Sequence, residues 1–390
     1  MKESELDRIV SEERPGTFEL WGIRYFQNLS RKHRAYASSD IEGLDRFARS
    51  DEDMVLRVNR ITLIGSLIAF LIGAVSAGGS VLAEIMTEGE SAVVHYAWIG
   101  GVTAILTLIE FSVLFIVSIR TVFGIARITG HDRLEANSDI LAGMIPNLLS
   151  RAALEIPDPV RKIFGIDPLA RVSRKRLLFV GILYKAKIIL SNVLAKLILK
   201  RILAKSGVRI VASWVSVPIT GIWNAVVTIK VAREARLRLF GNLLAEHIAR
   251  DLLTERLRRR LSPEAKLGCL QAIGNSVVLT QNYHPNMLIL IVRIAKVLKI
   301  REGKQFEQWE LFLETLSKVT EGERFFLLDL LAVSTAFDGH LSSLERRLLP
   351  EAFGEHTEIY MDRIGRLIRL LHAGRLNDAK RLCGLDFQAG

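Results

Sequence analysis

Between Ile61 and Ile119 the chain has no lysine and no arginine, although these residues make up about one position in seven overall (53 of 390). Cysteine is also scarce. Cys269 and Cys383 are the only two, and neither lies in a CxxC or other metal-ligand spacing. That excludes a disulfide framework and a thiolate metal centre, and it fits a reducing compartment. No apolar h-region follows the opening MKESELDRIV, so no cleavable signal peptide is expected. Nucleotide loops, HExxH, a Ser/His/Asp constellation and paired acids in a polar setting are all missing, which disfavours an enzyme. Strand signals are absent as well, and the period from about residue 239 onward is helical, so an all-α fold is expected.

What is present is segregated. Hydrophobic residues make up 49% and charged residues 24%, with a mean hydropathy of +0.26 and a net charge of +11. The cation-free interval holds two apolar runs, roughly 61–83 and 93–119. Each reaches the ~20 residues a helix needs to cross a bilayer. Between them EIMTEGESAVVHY carries Glu84, Glu88 and Glu90 and no cation. Arg46, Arg49, Arg57 and Arg60 precede the pair, and Arg120, Arg127 and Arg133 follow it. The positive-inside rule then predicts a transmembrane hairpin at 60–120 with both ends cytoplasmic and the acidic turn outside. His95, Tyr96 and Trp98 stand where an aromatic belt would begin.

Gly65, Ala69, Gly73 and Ala77 recur every four residues in the first run, with Ala97 and Gly101 as a shorter counterpart in the second. On helices such stripes permit close packing, within the hairpin or between copies in a homo-oligomer. Glu110 interrupts TLIEFSVLF near the middle of the second run. A carboxylate facing lipid there costs several kcal/mol. It must therefore face protein, carry a proton, or find a donor. Thr107, Ser66 and a basic residue from the later membrane-associated region are the candidates. Antiparallel pairing sets Glu110 near the depth of Phe70, beside Ala69 and Gly73. Two roles stay open for it, assembly and ion coupling.

Residues 177–235 read as membrane-associated or membrane-dipping basic helices. Lys185, Asn192, Lys196 and Lys200 fall on one stripe of an otherwise aliphatic segment, the pattern of a helix in the headgroup layer. Arg171, Arg174, Lys175 and Arg176 form a basic junction just before it. With the three lysines of the stripe they are candidate contacts for anionic headgroups. Nucleic acid is not expected, because the cations are interleaved with aliphatics rather than aromatics. The next segment, VRIVASWVSVPITGIWNAVVTIKVA, is long enough to span but is interrupted by Pro218 and Asn224. A pair that enters and leaves on the cytoplasmic side is preferred to four full spans, because the turn between them carries Lys205 and Arg209.

Pro218, Gly221 and Asn224, followed by VAREARLRLFG, resemble the ending of EcsC-type bacterial membrane proteins over about 60 residues. The glycine spacing is contracted here, and the resemblance implies membrane association only. Residues 1–59 are charge-balanced and read as a cytoplasmic N-terminal helical region, with 121–176 as a cytoplasmic helical linker. Residues 239–390 form the cytoplasmic helical domain, with helices expected at 239–260, 264–281, 286–300, 306–319, 323–336, 343–353 and 358–373. Ser262 before Pro263 marks one helix start.

In that domain AFDGHLSSLERRLL resembles the TerB-like helical domains of tellurite-resistance proteins through Asp338, Gly339, Leu341 and Glu345. A fainter copy lies 56 residues earlier. There Asn282 and His284 match Asp338 and His340, while Ile289 stands where Glu345 would be. A divalent metal held by Asp338, His340, Glu345 and His284 is one reading. The other is plain helix capping, with Ser342 and Glu345 as a capping box and His284 before Pro285 as a helix entry. Capping accounts for more of these residues, and no other cofactor is expected.

The expected fold is thus an all-α integral membrane protein of the bacterial cytoplasmic (inner) membrane, multi-pass, with both termini cytoplasmic. The expected function is a membrane-anchored scaffold or sensor. It would present the helical domain to a protein partner, as the TerB-like resemblance implies for an envelope-stress pathway. The alternative is a small oligomeric transporter of ions or solutes that uses Glu110.

Overall fold

A computed structural model describes residues 17–36, 50–129, 166, 209–281, 284–300 and 306–385. Among these residues every regular element is helical. We number them α1 (Thr17–Tyr36), α2 (Asp51–Met86), α3 (Ala92–Ile128), α4 (Arg209–His247), α5 (Glu255–Arg260) and α6 (Pro263–Leu279). Then follow α7 (Pro285–Leu298), α8 (Trp309–Lys318), α9 (Glu321–Thr335), α10 (Ser343–Phe353), α11 (Thr357–Ala373) and α12 (Leu376–Leu382). The chain divides into two compact units. One comprises residues 59–124 and 173–233, the other residues 1–58, 125–172 and 234–390.

The first, apolar unit is built from long helices. α2 and α3 contain 36 and 37 residues, about 54 Å each at ~1.5 Å per residue, against a hydrocarbon layer of ~30 Å. Three helices are long and apolar enough to cross a membrane, namely α2, α3 and the segment Trp214–Leu252 that begins within α4. Thr87 closes the turn between α2 and α3. Its hydroxyl donates to the Ala83 carbonyl at 2.8 Å and lies 2.8 Å from His95 Nδ1. Gly89 follows at φ +101°, a left-handed conformation that favours glycine.

α2 and α3 run antiparallel at close range. A Cβ on Gly65 would meet the Thr121 side chain, one on Gly124 would meet Ile61, and one on Gly79 would meet Leu106. Outward, the helices present Leu63, Val75 and Leu108, which are 69%, 72% and 69% exposed. Such largely exposed aliphatics are unfavourable in water and suit a lipid environment.

α4 is continuous through Pro218 and Asn224, the two positions that the sequence reads as interruptions. Proline removes one helical N–H, but membrane-type helices tolerate it where local groups and neighbours re-satisfy the backbone. Pro218 itself is exposed, and the neighbouring Thr220 hydroxyl bonds back to the Ser216 carbonyl at 2.9 Å.

The helical unit is organised around α6 and α9. Residues 268–279 of α6 and 326–335 of α9 are buried without interruption. Helices buried on every side form the centre of the core, and their polar members, such as Gln271 and Asn275, are hydrogen-bonded there. Gly268 permits the approach of Leu327, and Gly274 that of the Phe306 backbone. Phe240, Phe306, Phe312, Phe326, Phe337 and Phe353 fill the interior.

Caps start the helices where the sequence signals them. Ser262 accepts from the Ala265 amide at 3.1 Å, and His284 Nδ1 accepts from the Asn286 amide. Two features depart from expectation. The helix expected at 239–260 is the tail of α4, closed by a π-helical turn at Ile248–Leu252, and α5 restarts after Thr254. α12 was not anticipated. Asp51 caps it, accepting from the amides of Asn377 (2.8 Å) and Asp378 (3.0 Å).

Candidate functional site

Glu110 lies inside the apolar unit at 1% exposure. Its Oε1 accepts a hydrogen bond from Asn224 Nδ2 at 2.8 Å. Its Oε2 is equally buried and has no partner among the described residues. Two of the anticipated donors are engaged elsewhere or silent, and the basic residues between 171 and 208 lie outside the described residues. Ser66 donates to the Leu63 carbonyl of its own helix, and no hydrogen bond of Thr107 is found among the described residues.

The small-residue stripe of α2 sits against protein. Gly65, Ala69, Gly73 and Ala77 are all buried. A Cβ at Gly73 would fall 2.5 Å from Asn224 Nδ2 and 2.9 Å from the Thr220 carbonyl oxygen. Gly221 faces Phe70 equally closely, 2.9 Å from its carbonyl oxygen. Two members of the Pro218–Gly221–Asn224 motif thus seat α4 on α2, and Asn224 reaches past Gly73 to Glu110. The shorter counterpart in α3 points away, with Ala97 and Gly101 exposed. The Gly65–Thr121 and Gly79–Leu106 approaches set an antiparallel register that puts Glu110 level with Val75 and Ser76. That is more than a turn beyond Phe70, the depth that simple pairing of the two runs suggested.

No family model matches the chain, and no curated protein or solved structure matches it.

The second group of candidates lies in the helical unit. Asp338 ends a 3-10 turn at Ala336–Asp338, and Gly339 then turns the chain at φ +73°. Asp338 accepts from the His340 amide at 2.8 Å and from the Thr280 hydroxyl. The Ser342 hydroxyl donates to the Leu279 carbonyl at 2.9 Å. The two echoing helix–turn–helix segments therefore touch at their turns. Ser342 and Glu345 form the capping box, the Glu345 amide donating to the Ser342 hydroxyl (3.0 Å) and Glu345 Oε2 accepting from the Ser342 amide (2.6 Å). Burial, and then the neighbouring Asp338 charge, push the Glu345 carboxyl up to about 8 against the opposing pull of the Ser342 hydrogen bonds. Burial also raises Asp338, opposed by its bonds from Thr280 and His340.

His284 is buried with its Nε2 3.4 Å from Glu234, whereas the His340 side chain is exposed. Among the described residues no group of three or more His, Cys, Asp or Glu side chains is placed to hold a metal ion. Asp338 and Glu345 are instead tied into turn and cap hydrogen bonds. Asn282 of the fainter copy lies outside the described residues, as do Arg171, Arg174, Lys175, Arg176, Lys185, Lys196 and Lys200.

The sequence reading had not singled out Glu323. It closes a second capping box with Thr320 and also accepts the Ser262 amide at 2.7 Å, joining the starts of α6 and α9. Burial would raise its carboxyl, but the Ser262 and Thr320 hydrogen bonds hold it below its ordinary value. The T-x-x-E spacing was legible, but the link to Ser262, 61 residues away, was not.

Proposed function

We propose that the chain is a multi-pass protein of the bacterial inner membrane that anchors a helical interaction module at the cytoplasmic face, as a scaffold or sensor. One observation carries this reading. The exposed large apolar side chains concentrate on the three span-length helices, while the described residues of 234–390 bury their large apolar side chains almost completely. One region is thus suited to lipid and the other to water. The TerB-like resemblance of 336–349 favours a protein partner for the module and an envelope-stress setting. The basic residues at 171–176 and on the 185–200 stripe favour anionic headgroups beside it.

Charge asymmetry supports a topology. The acidic turn of Glu84, Glu88 and Glu90 lies outside, and Arg57, Arg60, Arg120 and Arg127 lie in the cytoplasm. In α4 the cations gather at its C-terminal half, at Lys230, Arg233, Arg236 and Arg238. An uninterrupted α4 then ends in the cytoplasm, which favours the four-span topology over the dipping pair.

Membrane-impermeant thiol labelling tests this cleanly. Cys269 and Cys383 are fully buried, and burial pushes both thiols up to about 12, so background reactivity is low. In right-side-out vesicles Glu88→Cys and Trp214→Cys should label, and Glu355→Cys only after the membrane is opened. Labelling of Glu355→Cys from outside, or release of the protein by alkaline carbonate, overturns the reading. Labelling of Trp214→Cys only from inside restores the dipping pair. Purification from the membrane with and without residues 239–390 tests the module. A stoichiometric partner lost with the deletion supports the scaffold.

A further inference from the structure

We propose that Glu110 Oε2 and Ser76 Oγ form a binding site for one small monovalent cation within the apolar unit, with Asn224 holding the carboxylate in place. The inference rests on the geometry of that unit and is independent of the module and its partner.

Asn224 Nδ2 engages one carboxylate oxygen at 2.8 Å, and the other is buried without a partner among the described residues. Ser76 is 5% exposed, and its Oγ is also buried and unpartnered. The α2–α3 register puts Ser76 level with Glu110, so two unsatisfied oxygens occupy one layer of the unit. Four other buried hydroxyls of the unit are bonded within their own helices. Ser66 donates to Leu63, Thr121 to Val117, Thr220 to Ser216 and Thr228 to Asn224.

Among the described residues no cationic side chain completes the site. Residues 61–119 carry no lysine or arginine, and the acidic groups Glu84, Glu88 and Glu90 and the ring of His95 stand at the far turn. The nearest cations along the flanking helices are Arg120 and Lys230, ten and six residues beyond Glu110 and Asn224 respectively. A carboxylate removed from water and given one amide N–H is strongly under-compensated. What remains is a pair of buried acceptor oxygens between closely packed helices, which suits a positive charge of small radius. A proton and an alkali metal ion share that chemistry. Gly73 contributes by leaving room for Asn224, since a Cβ there would displace the amide that positions Glu110.

The test is the melting temperature of the full chain in mild detergent. It is followed across mildly acidic to mildly alkaline pH, and in sodium or potassium against choline at constant ionic strength. Wild type should shift by several degrees with cation occupancy, and Glu110→Gln should lose that component. A response to pH alone assigns the proton. A response to sodium or potassium at fixed pH assigns the alkali ion. Ser76→Ala should move the midpoint of the response by about threefold or more in cation concentration. Parallel curves for wild type and Glu110→Gln overturn the proposal, as does a wild type that responds to neither variable. Should Glu110→Gln fail to fold, a Ser76→Ala response identical to wild type overturns it.

Discussion

In the helical unit Glu323 and Glu345 are buried at the first turns of α9 and α10, where each accepts the backbone amide of its own N-cap residue. In the apolar unit Glu110 is buried midway along a 37-residue helix, and its one donor among the described residues is a side chain 114 residues away. The difference is one of supply. Short helices bring free N–H groups into the interior at each start, so a carboxylate there both receives donors and supplies a cap. Within a long helix every backbone N–H is already bonded to the carbonyl four residues back, so only a neighbouring side chain can donate. Acids are therefore routine components of the helical unit. In the apolar unit an acid demands a dedicated partner.

Four substitutions break or sharpen this contrast. The largest effect is expected for Asn224→Leu, which leaves Glu110 buried with no donor. We expect a loss of about 3 kcal/mol or more in detergent unfolding, with much of it recovered when Glu110→Leu is added. Next is Glu323→Ala, which removes the acceptor shared by the Ser262 and Thr320 amides and should cost about 2 kcal/mol at neutral pH in chemical denaturation. The bound form of Glu323 is the carboxylate, with its pKa lowered. Its contribution is thus present above the ordinary carboxylate range and lost as pH falls through the lowered value, and the variant should lack this acid-side loss.

Glu345 runs the other way. Its carboxyl is raised to about 8, so its contribution is complete below the ordinary carboxylate pKa and lost as pH rises toward about 8. Glu345→Gln keeps the cap acceptor without the charge. It should flatten that slope and be the more stable chain by about 1–2 kcal/mol on the alkaline side, read from unfolding at a series of pH values. The smallest effect belongs to Asp51→Ala. It removes the cap of α12 and should cost about 1 kcal/mol, seen as faster amide exchange at Asn377 and Asp378.

Local features of the chain carried over well. The helices expected at 264–281 and 343–353 are α6 and α10 within two residues, because Ser262–Pro263 and Ser342–Glu345 start them chemically and the apolar period sustains them. The expected 239–260 helix fared worse. Its apolar period continues back into α4 and forward across the π-helical turn, and nothing in a sliding pattern marks where a ladder shifts from four residues to five. α12 is short, and its cap comes from Asp51, more than three hundred residues away, so no local signal announces it. Asn224 was visible as a polar residue in an apolar run, yet it read as an interruption, because its purpose is a bond to another helix.

By itself the sequence determined most of the described helices, which of them suit lipid, and that Glu110 would need compensation, since these follow from composition, period and the cost of burying a charge. Only the tertiary structure decided who compensates it. The register that puts Glu110 level with Ser76, the glycine clearance that lets α4 approach α2, and the choice of Asn224 over Ser66 all depend on how three helices pack. Packing couples residues far apart in the chain through contacts that no local pattern encodes.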